Sequence, residues 1–534
     1  MKILSAAALG AVVLTTSLSP IQASAAELRV GLAAIATSVD PHFHRAGFNF
    51  DLRENISDAL VYTNGVNGKV EPRLAKSWEI VGGTKWLVTL EPQAKFDNGN
   101  PLGADDVIYS ICRVRNVPNS PGLYSSFIAT IANVTDAGDG RVSIETASPD
   151  PNLLRSLSNI GIVENPTGRK LTYDKTTCGN DNWLDTNGFN NGTISAGIGH
   201  YRVKKFTPDV EIVLERNDKY YGAPAAYDSV TVKSLPDNSA RIAALLGGAV
   251  DVINAVPINS VDSLQSSGKF HLSSMPSTLL IFLLPDQGQD KTPKVSGTDG
   301  KNPFLDPRVR KALNLAVNRE ELAETVMGGM AQPASQVIVD NVFGHNPDLA
   351  PYPFDPEQAK RLLAEAGYPN GFSLALSAPS DRYVNGAQVA QAVAAMLSRI
   401  GLDVTLETFP KSVYFDKASA YEFSLYLAGA AADTGEGLSQ MINLVGTRDP
   451  KRGWGGANRG RYSSKATDAY LEEAQATLDD RTREDLLRKA SAQVHSDNGL
   501  VPLYHEFGVW GVRNGVHFEA NANLTNIFYT ARPE

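Results

Sequence analysis

Apolar and polar residues alternate along Leu28-Arg29-Val30-Gly31-Leu32 and along Lys85-Trp86-Leu87-Val88-Thr89-Leu90, which predicts two strands with one buried face each. Gly82-Gly83 separates the second run from Trp78-Glu79-Ile80 as a hairpin turn, and Asp97-Asn98-Gly99 marks another tight turn. Helical signals are as clear elsewhere. Asp355 reads as an N-cap, Pro356 as the first helical residue, Gly367 as a left-handed stop and Pro369 as a terminator. Leu305-Asp306-Pro307-Arg308 repeats that start signal, after which Val309, Ala312, Leu313, Ala316 and Val317 fall on one helical face. Val389, Val393, Met396, Leu397 and Ile400 define a helix stopped by Gly401, and Leu402, Val404 and Leu406 then alternate as a strand. Residues 239–246 and 250–253 form a second helix-to-strand unit. Interleaving of this kind predicts α/β lobes rather than separate all-α and all-β domains. Residues 286–302 are polar and aperiodic and read as a surface loop, while two polar helices at 465–478 and 482–494 precede a strand-like run at 500–504.

The N-terminus changes the picture. Lys2 precedes an apolar run over residues 3–18, and Ala23-Ser24-Ala25 supplies a small-residue cleavage pattern, so residues 1–25 read as a cleaved signal peptide. No Cys near that site could take a lipid, and no later stretch approaches the roughly 18 apolar residues of a spanning helix. An unlipidated export product is therefore expected in the periplasm. Loss of Lys2 moves the formal charge from −9 to −10, and the longest basic run is Lys204-Lys205, which argues against nucleic acid as a partner. Cys112 and Cys178, the only cysteines, sit in an oxidising compartment: either they form a disulfide closing about 66 residues, or they are two buried thiols.

Several blocks in order resemble the extracytoplasmic solute-binding proteins of the peptide, opine and nickel class of ABC importers, family 5. They are Ser38-Val39-Asp40-Pro41-His42, Glu71-Pro72-Arg73-Leu74-Ala75-Lys76-Ser77-Trp78, and Lys95-Phe96-Asp97-Asn98-Gly99 with Ala104-Asp105-Asp106-Val107. Gly197-Ile198-Gly199-His200-Tyr201, Leu214-Glu215-Arg216-Asn217 and Asp306-Pro307-Arg308-Val309-Arg310-Lys311-Ala312-Leu313 complete the set. The resemblance implies a two-lobed, type II-like periplasmic-binding-protein fold hinged on two crossover strands. Lobe I would comprise residues 26–282, with an extra subdomain at about 70–184, and the return segment 503–534; lobe II would comprise 283–502. It also implies a monomer without cofactor that captures a peptide and delivers it to an ABC permease in the inner membrane. A non-peptide ligand such as an opine, a glycoside, or a nickel or haem complex is the alternative.

Candidate ligand contacts follow from the same reading. In peptide-binding relatives an Asp at the place of Asp433 pairs with the ligand ammonium, since a desolvated ammonium needs a fixed negative partner. Here Ala430 replaces the usual preceding Trp, so a turn-capping role for Asp433 competes, and Glu436 follows in the same segment. Phe43 lies in the loop after the first strand, and Tyr504 and His505 lie next to the second crossover. Arg382-Tyr383 could hold a ligand carboxylate by a bidentate fork. His42 and His44 are spaced H-x-H, but no Cys, Asp or Glu cluster accompanies them, so no metal is expected. A secreted hydrolase is the rival class. The chain lacks G-x-S-x-G, H-E-x-x-H and P-loop signatures; His505-Glu506 begins a zinc motif, but Val509 stands where the second His belongs. A chaperone or sensor on the same scaffold is a third reading.

Overall fold

A computed structural model describes residues 26–180, 182–432 and 435–534; the leader and Asp433 lie outside the described residues. The main sheet runs in the order Val295–Ser296, Ser373–Pro379, Leu425–Ala430, Phe270–Pro285, Val501–Arg513, Val252–Ile253, Glu27–Leu32, Ser229–Ser234, Glu211–Arg216 and Tyr201–Thr207. Two long antiparallel strands at its centre, Phe270–Pro285 and Val501–Arg513, are flanked by different neighbours at their two ends. One end packs beside Leu425–Ala430 and the other beside Val252–Ile253. These two strands carry the chain between the halves of the molecule.

Their pairing breaks midway. Pro276 faces Phe507 and Leu280 faces His505, so Ser277, Thr278 and Leu279 stand opposite Glu506 alone. Extra residues on one strand bend it and increase its twist. The Ser277 hydroxyl donates to the Glu506 carbonyl at 2.6 Å and holds the irregularity.

Strand alternation builds a core on each face of the sheet. Ile281, Leu283 and Tyr504 join Val309, Leu313, Leu376 and Val393, whereas Leu280, Phe282 and Leu284 join Ile338, Met441 and Leu487. In the other half, Trp510 and Val512 pack with Leu28 and Val30 on one face, and Val509 and Phe270 with Leu245 and Ile253 on the other. A further core belongs to a four-stranded antiparallel sheet, Ala75–Val81, Lys85–Leu90, Arg141–Thr146 and Ile131–Gly138, together with the helix Ala104–Arg113. Cys112 on that helix is bonded to Cys178, with Cα atoms 6.1 Å apart, so the disulfide alternative holds.

Local signals account for the elements they predicted. The Asp355 carboxylate accepts from the Gln358 N–H at 2.8 Å, Pro356 opens the helix Pro356–Glu365, and Gly367 has φ +98°. Gly199 is fixed by space: a Cβ there would stand 2.2 Å from the Ile56 carbonyl carbon. The surface-loop expectation for 286–302 needs correction. Val295–Ser296 pairs with the strand at Leu374 and Ser373, Asp286 is buried against Arg461 at 2.5 Å, and the buried Asn302 amide donates to the Asp286 and Gln289 carbonyls. The strand Ser373–Pro379 is paired along one side with Asp403–Phe409 and at Leu376 and Ser377 with Leu425–Ala430. Its remaining open backbone at Ser373 and Leu374 is satisfied by Val295–Ser296, a segment with no hydrophobic period of its own.

Candidate functional site: the cleft at the crossover strands

Carboxyl ends of strands from both halves converge on one cavity of about 550 Å³. Ala33 and Ala34 follow the strand Glu27–Leu32, Asn254 follows Val252–Ile253, and Ala431 and Ala432 follow Leu425–Ala430. Open α/β sheets bind ligands in such crevices, because side chains and loops converge where the strands end. Thr278 and Leu279, from the irregularity between the crossover strands, join the lining.

Hydrogen bonds tie this part of the cleft together. The Ala432 N–H donates to Thr278 Oγ1 at 3.3 Å, and the Gln440 amide donates to the Thr278 and Ala430 carbonyls at 3.0 and 2.9 Å. Asn254 Oδ1 accepts from the Ala33 N–H at 2.9 Å. Across the cleft, Gly435 lies against Thr63 and Asn523 with φ +66°.

The helix Gly47–Ile56 forms a wall with both apolar and charged groups. Phe48, Phe50 and Phe127 give it an aromatic surface. Arg53 is buried; it pairs with Glu54 at 2.5 Å and donates to the Ser158 carbonyl at 3.1 Å. Burial pushes the Asp51 carboxyl up to about 7, although the Asn526 backbone N–H and side-chain amide donate to it at 3.0 and 2.6 Å.

Asp433 is outside the described residues, but Ala431, Ala432 and Gly435 around it line the cleft. The other sequence candidates stand elsewhere. Glu436 is fully buried and bound to Arg483 at 3.0 Å, within the protein rather than on the cavity. The Tyr504 ring lies in the apolar core, its buried hydroxyl without a hydrogen-bond partner among the described residues. His505 is buried on the opposite face of the same strand, and burial pushes it down to about 4. The Tyr383 hydroxyl accepts from the Gly429 N–H at 2.7 Å, and the exposed Arg382 stacks over the Tyr383 ring at 5.4 Å. Phe43 is half-buried, its carbonyl accepting from Ser120 at 2.5 Å. None of these six lines the cleft cavity. Closeness to a crossover in sequence does not set which way a strand side chain points, and strand parity turned Tyr504 and His505 into cores.

His42 does not pair with His44. Its Nε2 lies 2.7 Å from the Gly161 carbonyl and its Nδ1 3.1 Å from Arg113, whose guanidinium also holds Asp40 at 2.7 and 2.6 Å. Among the described residues no group of three or more His, Cys, Asp or Glu is placed to hold a metal. Sequence reading missed Arg45, Asp51, Asn254, Thr278 and Leu279. A polar Ser277-Thr278 pair interrupting an apolar strand was the one signal available for the last two.

Comparison with known proteins decides the family. The model described as bacterial extracellular solute-binding proteins, family 5, middle, matches residues 69–451. The chain belongs to this family. The family 5 protein is 26% identical over 487 residues to heme-binding protein A of Haemophilus influenzae, covering 85% of this chain and 83% of that one. It is 24% identical over 461 residues to the dipeptide-binding protein of Escherichia coli K12, covering 82% and 81%. Its fold matches the ABC transporter-associated periplasmic binding protein DppA of Helicobacter pylori, solved with the peptide STSA, with TM-score 0.69 and 23% identity over 95% of this chain and 98% of that one. The fold is thus the mixed α/β fold of the periplasmic binding proteins. Among the described residues no helix is long and apolar enough to cross a membrane.

Proposed function

We propose that this chain is the ligand-capturing component of an ABC importer, taking up di- or oligopeptides in the periplasm and presenting the closed, loaded form to an inner-membrane permease. The observation that carries the reading is the cleft itself: strand ends from two separately cored halves meet over an irregular pair of crossover strands. Two stiff bodies joined at such a hinge favour closure only when a ligand contributes contacts to both, and closure is then a signal that a permease can read. In this reading one lobe comprises about 26–282 and 503–534, with a subdomain at about 70–184, and the other 283–502. Asp433 anchors the ligand ammonium from the second lobe. The peptide-binding relatives support a peptide; the haem-binding relative supports a haem complex as the second reading.

Native mass spectrometry of protein purified from its own periplasm tests the ligand class. A ladder of peptide masses is expected, and a single non-peptide mass overturns the peptide reading. By calorimetry, Asp433→Asn should weaken amine-bearing ligands by about 1.5–3 kcal/mol, the worth of a charged hydrogen bond. An unchanged affinity removes Asp433 from the site.

A further inference from the structure

Four charged side chains line the cleft: Arg45, Asp51, Arg53 and Glu54. Three are committed within the protein. Arg53 and Glu54 neutralise each other at 2.5 Å, and Asp51 faces the two N–H donors of Asn526. Arg45 differs, because it is exposed and has no acidic partner among the described residues.

The rest of its environment restrains it without neutralising it. Its backbone N–H donates to the Gly122 carbonyl at 2.9 Å, so the root of the side chain is fixed. Its guanidinium stands over the Phe127 ring at 5.5 Å, and one Nη donates to Ser126 Oγ at 2.6 Å. A stacked arginine with one anchored N–H keeps the remaining donors of its planar fork in a limited set of directions, the arrangement that suits a carboxylate.

We propose that Arg45 receives the anionic end of the ligand, the C-terminal carboxylate of a peptide; this rests on the peptide-capture reading above. The role expected of Arg382, which does not line the cavity, passes to a residue that does. Arg45, just before the helix Gly47–Ile56, lines the same cavity as Ala431 and Ala432.

Calorimetry with alanine peptides of two to five residues, and with the matching C-terminal amides, tests this on the wild type, Arg45→Gln and Arg45→Lys. Arg45→Gln is expected to weaken the best-bound free acid at least about tenfold and to leave its amide unchanged, with Arg45→Lys between. Equal loss for acid and amide, or no loss for either, overturns the assignment while the peptide reading stands. A wild type that binds none of these peptides overturns both. A wild-type melting temperature in Arg45→Gln confirms that the change is local.

Discussion

Removing the charge of Glu436 tests whether this carboxylate is a structural group or a ligand contact. Its partner Arg483 is 2% exposed and Glu436 not at all, and the two meet at 3.0 Å. At an effective dielectric of about 20 the attraction is on the order of 5 kcal/mol, most of it offset by the loss of hydration of both ions. Breaking such a pair from one side leaves a buried charge uncompensated, which costs about 3–5 kcal/mol. Arg483 retains Asp480 at 2.7 Å and stacks over Phe343 at 4.4 Å, so Glu436→Gln should lie near the low end, about 3 kcal/mol. For a cooperative unit of about 200 residues that lowers the melting temperature by roughly 6–12 °C in a calorimetric scan. Glu357→Gln, which removes the exposed Lys360–Glu357 pair at 2.8 Å, is the control and should change it by a degree or two. Should Glu436→Gln melt like the wild type yet lose ligand binding, the carboxylate serves the ligand and the structural argument is wrong.

The Cys112–Cys178 bond spans a sequence separation of 66, for which loop-closure entropy gives about 4 kcal/mol. Reduction, or replacement of both cysteines by Ser, should lower denaturant stability by about that amount; stability independent of the bond would contradict it. The acid response has two opposed parts. Burial pushes His42 and His200 down to about 3 and His505 to about 4 from 6.5, so below pH 6.5 the unfolded chain binds more protons and these groups lose stability as pH falls. Burial also pushes Asp51 and Glu506 up to about 7 and Asp106 to about 6; from about pH 4 upward the folded chain holds those protons and gains stability as pH falls. Melting temperature should therefore change little between about pH 4.5 and 6. Below about pH 4 the acids no longer offset His42 and His200, each worth up to about 1.4 kcal/mol per pH unit. A steady decline from pH 6 to 4.5 would contradict this balance.

Much of the fold was legible because the forces that set it are local. The hairpin at Gly82-Gly83 needed two positive φ values, +63° and +83°, and the helix Pro356–Glu365 needed its cap, its proline and its stop. The block Gly197-Ile198-Gly199 was legible as a motif and explained only by contact, since Gly199 packs against the Ile56 backbone, remote in sequence. The candidate site was mostly illegible. Arg45 and Arg382 are both exposed arginines in loops, and nothing in their neighbouring residues says which one lines a cleft.

By itself the sequence determined several helices and strands, that they alternate into α/β layers, and which family the chain joins, because capping, periodicity and motif order act over a few residues; the helix Gly47–Ile56 and the strand Val295–Ser296 were not among them. The tertiary structure alone decided which side chains face the cleft cavity. That choice depends on the register of Phe270–Pro285 against Val501–Arg513, where residues opposing Glu506 bring Thr278 and Leu279 to the cleft while Tyr504 and His505 remain in the interior. Register is set by pairing between residues more than two hundred positions apart, and no local pattern encodes it.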